Sequence, residues 1–149
     1  MNIARIFVRK YFLTLCLLLL VFLGLFSVYS KFIYTFGFTD EGDNISIGKF
    51  LLQDKKLYKD IFSQHQPLTY YLSSTIQKAA PADNILLVIR RHRQFIMLFS
   101  FLWIAFLTIR FGYRLLPFLF LVELLKYYYL GHLFLAESLV IYPLAYLFC

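Results

Sequence analysis

Cysteine is nearly absent from this chain, and with it the patterns that announce a metal site or a cross-link. Only two cysteines occur in 149 residues. Cys16 lies inside an apolar run and Cys149 is the last residue. Neither has a partner at metal-ligand spacing, and nothing supports a disulfide between them; both read as lipid-facing or packing residues. Basic stripes, RNA-binding motifs and zinc spacings are also missing, which excludes nucleic acid as a partner despite a net charge of +7. No internal repeat or low-complexity segment occurs. Charge itself is scarce, at 15% of residues against 61% hydrophobic and 21% aromatic, and the mean hydropathy is +0.71. Soluble domains are roughly half apolar, so this composition suits a lipid bilayer as solvent. The basic residues mostly flank apolar runs, the placement expected of membrane topology and contact with anionic headgroups.

The apolar runs predict an all-α, polytopic membrane protein with about four transmembrane helices, at 11–29, 94–110, 114–130 and 133–149. Arg5, Arg9 and Lys10 precede the first. Its length, and an exit without a small-residue cleavage pattern, favour an uncleaved signal anchor over a signal peptide. The basic N-terminus then belongs in the cytoplasm, and segment 39–93 forms an external loop. Arg110 and Arg114 around Gly112 suit a cytoplasmic turn, while Gly131 and His132 turn the chain outside. The fourth run has no polar exit, so the chain reads as the truncated front of a longer protein. Arg90, Arg91 and Arg93 fall outside in this scheme, against the positive-inside tendency but tolerable in a long translocated segment.

The external loop carries the chemistry. Thr39 is a candidate N-cap, with Asp40, Glu41 and Asp43 in the first helical turn, and Ile47, Phe50 and Leu51 share one face. That predicts an amphipathic helix ending near Gln53 and lying along the membrane surface. Asp54-Lys55-Lys56 forms a turn. Pro67 suits the first turn of a second short helix carrying Leu68, Tyr70, Tyr71 and Leu72, which Pro81-Ala82-Asp83-Asn84 breaks.

In order, Asp40-Glu41, Gly48, Leu57-Tyr58-Lys59-Asp60, His65-Gln66-Pro67-Leu68-Thr69-Tyr70-Tyr71 and Arg93 resemble the N-terminal part of GT-C superfamily membrane glycosyltransferases. The likeness is to the protein O-mannosyltransferase, aminoarabinose transferase and rhizobial RgtA/B/C/D-like groups, and spans nearly the whole chain. It implies transfer of a sugar from a polyprenyl-phosphate donor to an acceptor at the outer face of a bacterial inner membrane. A carboxylate would take the acceptor hydroxyl's proton, and positive charge or a divalent metal would steady the phosphate leaving group. Carried over by position, Asp40 is the base with Glu41 as helper, and Glu137 is a second acidic position. His65 lines the site or orients a carboxylate, and Arg90, Arg91 and Arg93 hold the phosphate. Asp40, Asp43 and His65 could bind a metal in principle, but the sequence fixes no ligand set. Partners follow: the bilayer, the lipid-linked donor, and the remaining part of the same enzyme.

Blander readings stand beside these. Acids in a first helical turn satisfy the helix dipole whatever the function, and the arginines equally suit anionic headgroups. His65 is an ordinary loop hydrogen-bonder. A carboxylate such as Glu137 in a membrane helix is costly and marks function or pairing, whereas Glu123 and Lys126, three apart, neutralise each other. The competing function is a noncatalytic polytopic protein, a transporter piece or assembly subunit. A transporter, however, favours broken helices near the midplane, not a polar outer loop.

Overall fold

The computed structural model describes residues 3–35, 39–63 and 67–148, with side chains from residue 11 onward and excluding that of Thr39. It is all-helical, with no strand among the described residues: α1 (Ile3–Phe32), α2 (Thr39–Leu51), α3 (Pro67–Ala79), α4 (Ile85–Phe111), α5 (Leu116–Lys126) and α6 (Ala136–Leu147). A single 3-10 turn, Tyr113–Leu115, joins α4 to α5.

Two helices are long and apolar enough to cross a membrane: the Tyr11–Phe32 stretch of α1, and α4 with its 27 residues. Of the apolar 18-residue stretch within each helix, only 11% in α1 and 28% in α4 is buried inside the protein. The core helix of a soluble domain would be mostly covered. On α1, Phe12, Leu15 and Leu20 instead expose about two thirds of their surface each (66%, 66% and 64%). Helices α5 and α6 have 11 and 12 residues, short of the ~20 that span a hydrocarbon core.

The helices alternate in direction. Phe22 meets Phe101 at 4.5 Å, and Arg93 reaches the carbonyls at the end of α1, so α4 runs antiparallel to α1. Helix α5 follows α1 again, with Tyr29 bonded to Glu123 and Phe32 against Tyr127 at 4.8 Å. Helix α6 follows α4: Leu139 packs with Ile96, and Tyr146 lies 6.3 Å from Trp103. Between them sits an aliphatic core of Leu18, Leu25, Ile104, Leu107, Leu116 and Leu119.

Helix boundaries depart from the sequence reading in a physically simple way. Asn84, in extended conformation, accepts the Leu87 amide at 2.8 Å and caps α4. The apolar residues 85–89 therefore enter the helix at once. Arg90, Arg91 and Arg93 lie within α4 rather than ahead of it, and the connecting segment is correspondingly shorter than 39–93. Gly112, at φ 98°, receives α4's end, a backbone shape that a side chain would oppose. Helix α5 stops at Lys126; residues 127–134 form turns, with Leu130 left-handed at φ 59°.

Candidate functional site

Helix α2 turns a largely polar face onto the rest of the protein. Glu41, Asn44, Ile45 and Gly48 are buried, while Phe50 is exposed. The spacing i, i+3, i+4, i+7 is helical, as the sequence suggested, but the covered stripe is polar. It is covered because each polar group meets a partner. Asn44 donates to the Phe134 carbonyl at 3.0 Å and accepts from the Thr69 hydroxyl at 3.0 Å. Gly48 presses on α3, where an added Cβ would lie 2.6 Å from Ser73 Cβ.

Glu41 is the hub. Its carboxylate takes the Arg93 guanidinium in a two-pronged pair, Nε to Oε1 at 3.0 Å and Nη2 to Oε2 at 2.6 Å. It also accepts the Phe134 amide at 3.0 Å. Arg93 Nη1 in turn donates to the carbonyls of Ile33 and Thr35, each at 2.9 Å. Both residues are essentially inaccessible, at 2% and 1% exposure. An ion pair so buried needs this full set of bonds to offset its desolvation. The clamp thus joins the end of α1, the start of α2, α4 and the turn before α6. It engages Glu41 and Arg93 with each other rather than presenting them to a ligand.

Asp40 precedes Glu41 in the first turn of α2 and is half-buried, with no ion pair to a described residue. Arg91 donates to the Ala80 and Pro81 carbonyls, closing the turn between α3 and α4. Arg90 is exposed and, among the described residues, reaches the Tyr34 hydroxyl at 3.5 Å. It lies on a cleft of about 160 Å³ between α1 and α4, with Tyr29, Ser30, Tyr34, Arg93 and Gln94 on its wall. Glu137 opens α6 and is exposed, beside a separate apolar hollow between α5 and α6. His65 falls outside the described residues. No group of three or more His, Cys, Asp or Glu that could hold a metal ion gathers among the described residues.

Several polar side chains in the same region escaped the sequence reading. Ser73 and His92 are fully buried and bonded, Oγ to Nε2, at 2.8 Å. Since His92 Nδ1 faces the Val88 carbonyl at 2.8 Å, the proton sits on Nδ1 and Nε2 accepts from the serine. The pair looks like a nucleophile with its base, but it is sealed from solvent and Gln77 also donates to Ser73; it joins α3 to α4. His132 stacks on Tyr127 at 4.8 Å, and its buried Nδ1 has no hydrogen-bond partner among the described residues. Burial first, and then the Arg93 guanidinium, push its imidazole down to about 4, so the ring is neutral at neutral pH.

A second ionic cluster lies deeper. Glu123 holds Lys126 at 2.9 Å and accepts from Tyr29 at 3.2 Å and from Tyr142. Lys126 also donates to Ser100 at 2.8 Å. The expected pairing of Glu123 with Lys126 is therefore present. Its three further partners come from α1, α4 and α6, and the one sequence signal for them was a polar residue inside an apolar run.

Against known proteins, this chain matches no family model, no curated protein and no solved structure.

Proposed function

We propose that the chain is held in a bacterial inner membrane by α1 and α4, with the shorter α5 and α6 packed beside them and the N-terminus in the cytoplasm, and works as a GT-C-type glycosyltransferase on a polyprenyl-phosphate sugar donor. The observation that supports this reading most is the arrangement at the α1–α4 end. The Glu41–Arg93 clamp ties the first turn of α2, and with it Asp40, to α4, one turn along α4 from the cleft residue Arg90. Arg90 stands in that cleft with no carboxylate partner among the described residues.

The division of labour follows. Arg90, helped by the Tyr34 hydroxyl, would face the lipid phosphate, and Asp40 the acceptor. As the acceptor oxygen bonds to the anomeric carbon, the bond from that carbon to the phosphate oxygen breaks. The acceptor proton passes to Asp40, and the phosphate leaves with its charge balanced by Arg90. Arg93 and Glu41, first expected at the phosphate and beside the base, serve here as positioning residues. Replacing Asp40 with Asn should lower sugar transfer in reconstituted membranes by about 10²–10⁴-fold, and Arg90→Ala should weaken use of the lipid-linked donor. Full activity in Asp40→Asn would remove the carboxylate from the mechanism.

A noncatalytic polytopic subunit is the competing reading. It draws on the same clamp and on the Glu123 cluster, whose charges are all engaged within the protein. Unaltered lipid-linked sugar pools in cells lacking the protein would favour it.

A further inference from the structure

Segment 52–62 joins α2 to the approach of α3 and is built rather than slack. The Lys56 amide donates to Asp60 at 2.8 Å and the Tyr58 amide to the Ile61 carbonyl at 2.9 Å. Asp54 and Tyr58 take left-handed backbone at φ 61° and 64°. On this frame Ile61 is buried and Leu57 half-buried, while three apolar or aromatic side chains stay exposed: Phe62 at 95%, Tyr58 at 60% and Leu52 at 42%. Lys55, Lys56 and Lys59 are exposed beside them, and one of the segment's two acids, Asp60, is turned onto its own backbone. A bare aromatic held out among lysines is a costly arrangement in water alone.

We propose that segment 52–62 docks on the membrane itself, seating Phe62 and Tyr58 among acyl-chain ends while the lysines meet anionic lipid headgroups. The chemistry is that of interfacial aromatic belts and basic surface anchors. The position agrees. Helix α4 has 27 residues, about 40 Å at 1.5 Å per residue, against a hydrocarbon core of about 30 Å. With the ~10 Å excess placed at the start of α4, Arg93, about 12 Å from that start, falls near the boundary, and its bond to Glu41 holds the base of α2 at that level. This inference rests on the bilayer crossing proposed above, but not on the sugar-transfer chemistry.

The test uses the full chain in lipid nanodiscs, with Cys16 and Cys149 replaced by Ser and an environment-sensitive fluorophore attached to Phe62→Cys. A label at Leu20→Cys, on the 64% exposed face of α1, reports the crossing independently. In discs containing anionic phosphatidylglycerol, the label at position 62 should shift to the blue and be quenched by lipids carrying a shallow spin label. Charge reversal at Lys55, Lys56 and Lys59 together should reduce that quenching several-fold. Quenching at position 20 without quenching at 62 overturns the docking and leaves the crossing intact; no quenching at either site overturns both. Equal quenching at 62 in purely zwitterionic discs removes the role of the lysines. Blue-shifted emission that requires a second protein copy in the disc, and ignores the lipid quencher, would assign the surface to self-association instead.

Discussion

Gly48 illustrates how tightly a single position constrains the polar face of α2. A methyl group there would meet Ser73 Cβ at 2.6 Å and the Ser74 backbone nitrogen at 3.0 Å. Backbone cannot swing aside, so Gly48→Ala should cost about 1–3 kcal/mol and lower the melting temperature in detergent. The neighbouring Gly42, with open space around it, should accept Ala with little change. His132 carries a pH dependence. Its folded value of about 4 lies below the ordinary ~6.5, so above pH 6.5 the ring is neutral in both states and costs nothing. As pH falls from 6.5 toward 4 the unfolded chain gains a proton that the folded chain refuses, and stability declines by up to about 3 kcal/mol. His132→Phe should flatten the melting temperature over that range; a profile unchanged from the parent would mean another group carries the pH response.

Among the elements, the two buried ion pairs and their hydrogen-bond partners act as rivets between helices. Glu123 receives bonds from Tyr29 on α1, Lys126 on α5 and Tyr142 on α6, and Lys126 reaches Ser100 on α4. Glu123→Gln leaves an ammonium buried without its counter-charge and should destabilise the bundle by about 3–5 kcal/mol. Replacing Glu123 and Lys126 together by Leu should recover most of that loss, because no orphan charge remains. A double variant as unstable as the single would show that the hydroxyl partners, not the charge balance, hold the four helices. This pairing was legible from a spacing of three on one apolar helix. So were the Pro67 start of α3, the turn at Asp54 and the break at 81–84. What the sequence did not reveal was which face of α2 would be covered. Periodicity marks the apolar stripe of Ile47, Phe50 and Leu51 and is silent on the polar one; Glu41, Asn44 and Gly48 are buried by partners 25 or more residues away. Nor did charge show that Arg93 would turn inward while Arg90, three residues earlier, stays exposed. The difference lies in the carbonyls and carboxylate that only the folded chain assembles around one of them.

For the molecule as a whole, helix direction and charge placement point the same way. Because α1 and α4 are antiparallel, with position 22 level with 101, the basic start of α1 lies toward the same end as Arg110 and Arg114. Positive residues at short turns mark the cytoplasmic side, so both basic groups satisfy the rule with one orientation. The opposite end then gathers the Glu41–Arg93 clamp, the α2–α3 pair and the exposed finger around Phe62. A single cysteine at Asp60, in a chain otherwise free of cysteine, should react in intact cells with a membrane-impermeant maleimide, whereas one at Arg114 should react only after the membrane is opened. The reverse pattern would turn the molecule over and place Asp40 in the cytosol, where the proposed external sugar transfer could not occur. Labelling of both sites from outside would mean that α4 does not cross, and the cleft beside Arg90 would then lie away from any lipid phosphate.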